Sequence, residues 1–163
     1  MKGQSLFEVL IALGVIAVIV VAVVSLGVTS VRNNVFSRNN ALATKFSHET
    51  MEWVRGERDR SWTTFVSRMG ATSSGSFCLT SSPPSVWPSL GPCASNQTIN
   101  DTQTPFVRQL SLTCYNRLDL ATPIGCSGGS TDTIEALVVT SWTDAQGVHD
   151  ARSSTYFTNW RDQ

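Results

Sequence analysis

The chain has 163 residues with twelve basic and twelve acidic side chains, so its formal net charge is zero. This balance argues against a polyanionic partner, because nucleic-acid binding usually needs a clear excess of Lys and Arg. The length accommodates one membrane span and one folded domain of about 100 residues.

The first predicted element is an apolar run near the N-terminus. Between Val9 and Val28 there is no charged residue, and only glycine, alanine and one serine interrupt the large apolar side chains. A helix of about twenty residues reaches about 30 Å, the thickness of the hydrocarbon core of a bilayer. Because the backbone N–H and C=O groups in lipid must form hydrogen bonds with each other, this run predicts a single transmembrane helix.

Glu8 lies at the start of this run, directly after Leu6 and Phe7. A carboxylate costs at most about 3 kcal/mol at the centre of a membrane, whereas the large apolar residues of the run contribute on the order of −5 to −10 kcal/mol. The helix therefore inserts despite Glu8, and insertion does not explain why this residue is present. An ionisable group at such a position indicates a function and a missing partner.

The residues around Glu8 carry a resemblance to a known family. Lys2-Gly3 followed by QSLFEVL resembles the class III leader of type IV pilins and of type II secretion pseudopilins. In that family a prepilin peptidase cleaves after the glycine, and the fifth mature residue is glutamate. The resemblance implies a leader over residues 1–3, cleavage between Gly3 and Gln4, and Glu8 as the fifth mature residue. It also implies N-methylation of Gln4, where the family usually has phenylalanine or methionine.

Two further segments are similar to one minor-pilin subtype. Ser47–Trp62 is similar to the end of its long helix, which often reads E-x-x-R-x-x-R-D-x-x-W, and Val138–Gly147 with Tyr156–Trp160 resembles its closing strands. The resemblance implies a pilin-like α+β fold, in which a long N-terminal helix packs on a small antiparallel sheet. It places a transmembrane or filament-core helix at 4–31 and an exported head at 32–163.

The resemblance also implies a structural role and no enzymatic activity or cofactor. A minor pilin resides in the cytoplasmic (inner) membrane with its head exported, and then joins other pilins in an extracellular helical filament. Its partners would be those pilins, the prepilin peptidase and the inner-membrane assembly platform. A pseudopilin of a type II secretion system fits the same residues. So does a pilus-associated adhesin or DNA-binding subunit, which would add a surface ligand or nucleic acid as a partner.

Cleavage suggests a specific task for Glu8. It would create an α-amino group on Gln4, and a buried cation and a buried carboxylate are each expensive alone but tolerable as a pair. Stacking with an axial offset would bring Glu8 of one subunit beside the Gln4 amine of another. Such a head-to-tail contact does not close on itself and therefore generates an open helical filament.

Two other interpretations of the N-terminus remain open. An ordinary secretory signal would be cleaved near Ser25-Leu-Gly27, and a plain single-pass anchor would not be cleaved. Against an ordinary signal, its positive region would contain one lysine, Lys2, whose charge Glu8 cancels.

The helix is expected to continue beyond the membrane. No proline occurs between Val31 and Arg60, so one continuous helix from about Ser5 to about Arg60 is predicted, with an amphipathic half over 32–62. Its apolar face is predicted to carry side chains spaced by seven and four residues. These side chains are Val35, Leu42, Phe46 and Trp53.

The remaining chain is predicted to form an irregular loop and then an antiparallel sheet. Residues 70–105 are rich in Gly, Ser, Thr, Asn and Pro, which is typical of irregular loop. Within 106–160 we expect three antiparallel strands, at about 110–114, 134–142 and 153–160. Asp144-Ala-Gln-Gly147 is predicted to be the turn between the last two strands.

Four cysteines, Cys78, Cys93, Cys114 and Cys126, follow the apolar run. No two of them form a C-x-x-C pair, so a zinc site is not indicated. In an exported head four cysteines suggest two disulfides, for which three pairings are possible. We predict the sequential pairing, Cys78 with Cys93 and Cys114 with Cys126, which would pin the loop at 70–105.

Other candidate sites have weaker support. His48 precedes Glu52 by four residues, which would let one helix face hold a metal, but a solvated helix surface is favoured. His149 follows a turn and is expected to be exposed. No sequence motif of a nucleophilic hydrolase, a zinc protease or a phosphate-binding loop occurs.

A basic cluster, Arg55, Arg58 and Arg60, lies between Trp53 and Trp62 and resembles a nucleic-acid site. Three acidic residues alternate with these arginines and favour a face of salt bridges instead. They are Glu52, Glu57 and Asp59.

Processing gives the first testable prediction. Mass spectrometry of the mature protein should find its N-terminus at Gln4, because the Gly3–Glu8 spacing matches the peptidase leader. Replacing Gly3 with a bulky residue should leave the full-length precursor in the membrane. An N-terminus at Val28 would instead establish an ordinary signal peptide.

Overall fold

The computed structural model describes residues 4–99, 104–126 and 131–160, and side chains from residue 6 onward. Two helices and four strands follow one another along the chain. They are α1 (Gln4–Arg60), α2 (Trp62–Ser67), β1 (Ser74–Cys78), β2 (Phe106–Tyr115), β3 (Thr133–Asp144) and β4 (Gly147–Thr158). The long N-terminal helix and the antiparallel sheet confirm the predicted α+β class.

The chain divides into two compact units, residues 1–38 and residues 39–163. Helix α1 runs through this boundary as 57 consecutive helical residues, which confirms the predicted continuous helix. It contains one stretch that is long and apolar enough to cross a membrane. The second unit contains the sheet, α2 and the C-terminal part of α1.

In the second unit the sheet has the order β1-β2-β3-β4, and all neighbouring strands are antiparallel. The predicted turn is confirmed: Asp144 pairs with Gly147, and the Asp144 carboxylate accepts a hydrogen bond from the Gln146 N–H at 2.8 Å. Gly147 has φ 127°, a conformation that other residues rarely adopt. The turn therefore fixes the register of β3 on β4.

Strand β1 corrects the prediction of an irregular loop throughout 70–105 and of three strands in the sheet. Ser74–Cys78 has little apolar content, but it pairs with β2 from Ser74↔Thr113 to Cys78↔Gln109. The pairing comes from a strand that lies far along the sequence, so no local alternation marks it. The other strands begin before their predicted bounds, β2 by four residues and β4 by six, and β4 ends two residues before its predicted end.

The face that α1 turns to the sheet also differs from the predicted stripe. Phe46 is buried and Leu42 and Trp53 are partly buried, but Val35 is 47% exposed. Six residues outside the predicted stripe complete the buried face, and four of them are small or polar. They are Asn39, Ala43, Ser47, Thr50, Met51 and Val54.

Hydrogen bonds explain why hydroxyl groups occupy this buried face. The Ser47 hydroxyl donates to the Ala43 carbonyl at 3.0 Å, and the Thr50 hydroxyl donates to the Phe46 carbonyl at 2.9 Å. Ser47 Oγ also lies 2.9 Å from Oγ1 of the buried Thr140 on β3. Because these groups are paired, their burial does not carry the penalty of an unsatisfied polar atom.

The core of this unit forms between α1, α2 and the inner face of the sheet. Ser61 caps α2 by accepting the Thr64 N–H at 3.2 Å, which directs Phe65 into the core. The main cluster lies near the C-terminal end of α1 and includes Met51, Val54, Phe65, Phe77, Leu110, Leu112, Ile134, Val138 and Phe157. A second cluster contains Ala43, Phe46, Ile99, Phe106 and Trp142.

The two disulfides join Cys78 to Cys93 and Cys114 to Cys126, the pairing predicted from their order. They differ in their surroundings. Cys114 and Cys126 lie in the main cluster, with sulfur atoms 3.7 and 3.6 Å from the Met69 sulfur. Cys93 is only half-buried.

This difference predicts unequal effects of removing the two bridges. The loops closed span 15 and 12 residues, so the chain-entropy model gives a similar loss of about 3 kcal/mol for each. Replacing Cys114 and Cys126 with alanine also removes two buried sulfurs and leaves a cavity. Urea denaturation of the full chain in detergent should therefore show the lower midpoint for C114A/C126A than for C78A/C93A. Equal midpoints would contradict a core role for the second bridge.

Candidate assembly surface

The N-terminal part of α1 presents an apolar surface over residues 6–31, here called the apolar segment, which ends before Arg32, Asn33 and Asn34. All its large apolar side chains are exposed, from 47% at Val28 to 71% at Leu26. They lie on every side of the helix and not along one stripe. Soluble monomers rarely expose more than a few hundred Å² of contiguous apolar surface. A helix that is apolar all round is typical of a membrane span or of the centre of an assembly.

Glu8 is exposed among the apolar side chains at the beginning of this segment. No hydrogen bond or ion pair joins its side chain to another residue within the described parts of the chain. Its neighbours Leu6 and Phe7 are each 67% exposed. Lipid or packed helices that enclosed the segment on all sides would also cover Glu8. A carboxylate covered in this way needs a cationic or hydrogen-bonding partner from outside the chain.

The predicted cleavage site lies at the edge of the described residues. Gly3 falls outside them, and Gln4 is described only as the first helical residue of α1. Glu8 follows Gln4 by four residues, which is about 6 Å along a helix axis.

The basic cluster on α1 is neutralised by acidic neighbours. Arg55 Nη1 lies 2.7 Å from Glu52 Oε1, and Arg58 Nη2 lies 2.7 Å from Asp59 Oδ1. Arg60 pairs with Glu57. Each arginine therefore has a carboxylate partner, which favours the interpretation as a salt-bridge face over that as a nucleic-acid site.

His48 and Glu52, for which a solvated helix surface is favoured over a metal site, lie near no further ligands among the described residues. His48 is exposed, and Glu52 is engaged by Arg55. Among the described residues no group of three or more His, Cys, Asp and Glu side chains could hold a metal ion.

His149 differs from its expected exposure. Its side chain is 25% exposed, and its Nε2 lies 2.9 Å from Asp144 Oδ1 at the hairpin turn. Desolvation acts to raise the pKa of Asp144, but hydrogen bonds from the Gln146 N–H and from His149 outweigh it and lower this pKa. The histidine thus supports the turn.

Arg108 is an important buried residue that the sequence analysis missed. Its side chain is fully buried on β2, and it donates hydrogen bonds to the Phe46 carbonyl at 3.1 Å and to the Ser81 carbonyl. Burial lowers the pKa of Arg108 to about 10, and the carboxylate of Glu49, 4.0 Å away, opposes this shift. Ser82 Oγ donates to the same carboxylate at 2.8 Å. These contacts attach the segment after β1 to helix α1.

One signal could have found Arg108. It occupies an inward position in the alternation of β2, where the other members are apolar or cysteine. They are Phe106, Leu110, Leu112 and Cys114. A charged residue at such a position must find partners inside the fold, because an unpaired buried charge is costly.

Comparison with family models, with curated proteins and with solved structures found no match to this chain.

The environment of Arg108 predicts how two substitutions should differ. Arg108→Ala leaves a cavity and removes both backbone hydrogen bonds, so the free energy of unfolding should fall by about 3 kcal/mol. Arg108→Met loses the same hydrogen bonds but fills the space and removes a desolvated charge, so its loss should be less than half as large. Urea denaturation measures both.

Arg55 is exposed, so Arg55→Met is the matched control. It should change the free energy of unfolding by at most about 0.5 kcal/mol. Equal losses for the alanine and methionine variants of Arg108 would show that its hydrogen bonds, and not its volume, dominate.

Proposed function

We propose that this protein is a minor pilin, a structural subunit of a type IV pilus that is cleaved after Gly3. In this proposal it resides in the cytoplasmic membrane with its disulfide-containing head exported, and it then enters an extracellular filament through its hydrophobic helix. Its partners are other pilins, the prepilin peptidase and the inner-membrane assembly platform. No catalytic activity is assigned to it.

The observation that carries the proposal is Glu8 within the apolar segment. The large apolar side chains around it are exposed in the single chain, so a membrane and then neighbouring helices are suitable environments. In either environment a carboxylate needs a partner, and the α-amino group created on Gln4 of a neighbouring subunit supplies the opposite charge. Pairing between Glu8 and that amine would set the axial offset between adjacent helices.

Two features of the head are consistent with this role. Its two disulfides suit an oxidising compartment outside the cytoplasm. The basic cluster on α1 is neutralised, which gives a DNA-binding role no particular support. A pseudopilin would share all of these features, and neighbouring genes for a pilus retraction ATPase or for a secretion pathway would distinguish the two.

The test replaces Glu8 with glutamine, which keeps the shape and removes the charge. Membrane insertion and cleavage should stay nearly intact, because removing a charge makes insertion easier. An unpaired buried charge costs about 3–5 kcal/mol, so incorporation into filaments should fall by about two to three orders of magnitude. The amounts of Glu8→Gln and wild-type protein in sheared surface filaments and in membranes measure this effect.

Glu52→Gln is the matched control, because it makes the same chemical change at an exposed position on the same helix. It should reach filaments at the wild-type level. If Glu8→Gln did so too, the pairing role would be wrong, and Glu8 would be at most a recognition residue for the peptidase.

A further inference from the structure

A small group of side chains lies on the outer face of the sheet, the face turned away from helix α1. It consists of Tyr115 at the end of β2, Glu135 near the beginning of β3 and Tyr156 near the end of β4. Each of these three residues lies next in sequence to a buried residue of the main cluster. Because successive side chains of a strand point to opposite faces, all three point away from the core. They are here called the tyrosine cluster.

The strand register places Glu135 between the two tyrosines. Glu135 lies opposite Tyr156 on β4, and β2 with Tyr115 runs along the other side of β3. The ring centroids of the tyrosines are 6.4 Å apart, and the ring planes are inclined by 61°. The rings therefore form a corner and not a stack. Tyr156 is half exposed, so solvent reaches this corner.

The Tyr115 hydroxyl orients the carboxylate of Glu135. It donates a hydrogen bond to Glu135 Oε2 at 3.3 Å. Burial, and then the negative charge of Glu135, raise the pKa of Tyr115, so this hydroxyl keeps its proton at neutral pH. Within the described residues, Oε1 of the same carboxylate accepts no hydrogen bond and is therefore available to a ligand.

The charge of Glu135 is not balanced by a neighbour. No ion pair joins it to a basic residue in the parts of the chain that the structure describes. Arg117, the first basic residue after β2, places its Nε 3.9 Å from Asp132 Oδ2 instead. Asp150, another carboxylate on the outer face, is by contrast paired with Arg152. The faces of aromatic rings also carry partial negative charge. The tyrosine cluster therefore combines three groups that all favour a cation.

The number of acceptors decides which cation fits. A metal ion needs several oxygen ligands, and the tyrosine cluster supplies one carboxylate. A primary ammonium group brings three N–H donors and a guanidinium group five, and each donor needs an acceptor. Beyond Glu135 the next outward side chain of β3 is the apolar Leu137, so few acceptors are present. A quaternary ammonium group has no donor, and it needs ring faces, apolar contacts and a negative charge.

We propose that the tyrosine cluster binds a quaternary ammonium group of the choline type. The methyl groups of the ligand contact the two tyrosine rings and the side chain of Leu137, and the carboxylate of Glu135 supplies the opposite charge. Helix α1 packs on the inner face of the sheet, so contacts between subunits through α1 leave the tyrosine cluster accessible. Only the location of this site rests on the proposed function: an exported head would meet such ligands outside the cell.

Nuclear magnetic resonance of the tyrosine rings tests binding directly. The chain contains two tyrosines, and both belong to the tyrosine cluster. Carbon-13 labelling of tyrosine rings therefore reports on this site alone. The full chain in a non-ionic detergent is titrated with choline, and the ring signals of both tyrosines should shift and reach saturation. Ring signals that stay unchanged throughout the titration would overturn the proposal.

Three related compounds determine which part of the ligand is recognised. The uncharged carbon isostere of choline has the same shape, but its dissociation constant should be about tenfold higher, because the attraction of the cation to the rings and the carboxylate is lost. Methylammonium, a primary ammonium ion, should also bind more weakly than choline. Equal binding of the isostere, or tighter binding of methylammonium, would refute a quaternary ammonium site. Phosphocholine separates the sources of the ligand: shifts like those of choline indicate head groups on a surface, and shifts from choline alone indicate the free compound.

Substitutions locate the site. Glu135→Gln keeps the shape and the acceptor for Tyr115 but removes the charge, so the affinity for choline should fall about tenfold. Tyr156→Leu should weaken binding similarly, with Tyr115 as the remaining reporter. Asp150→Asn is the matched control, because it removes a carboxylate from the same face of the sheet, and it should leave the affinity unchanged. The backbone amide signals of each sample show whether the variant is folded.

An affinity for choline that Glu135→Gln leaves unchanged, or that Asp150→Asn lowers equally, would overturn the assignment of this site. All these measurements use the isolated chain and involve no filament. Failure of choline binding therefore leaves the proposed role of Glu8 untouched, and normal assembly of Glu8→Gln would leave the choline site untouched.

Discussion

The internal hydrogen bonding of the α1 backbone is the constraint on which the other features depend. Every residue in its interior forms its hydrogen bonds within the helix, so the backbone can leave water without exposing unsatisfied polar groups. Side-chain chemistry then decides what each part of the helix contacts. Residues 9–31 carry apolar side chains on all sides, whereas the part from Asn39 to Arg60 buries only the face that packs on the sheet.

In the head, the long segment between β1 and β2 must be held in place although it contains few large apolar residues. Such a segment cannot bury enough surface to fix itself, so it relies on separate points of attachment. The bridge from Cys78 to Cys93 fixes it covalently, the Ser81 carbonyl binds Arg108, and Leu90 pairs with Phe77. The same segment then covers one edge of the sheet, which leaves β4 as the open edge.

The role proposed for Glu8 follows from one physical principle. Apolar surfaces and backbone edges supply much of the driving force for association, but they specify position poorly, because either can slide past its partner. A charge placed within such a surface has a large penalty in every position except the one that pairs it. Glu8 in the apolar segment is placed to select one register in this way.

The sequence by itself determined the features that depend on neighbouring residues. The length of the apolar run gave the helix, Asp144-Ala-Gln-Gly147 gave the hairpin turn, and the order of the cysteines was enough to predict their pairing. Only the tertiary structure decided which polar groups are buried and which segments of low apolar content form strands of the sheet. Ser47 is buried because Thr140 lies against it from 93 residues away. Strand β1 and Arg108 likewise owe their places to distant partners, and a local pattern does not encode such contacts.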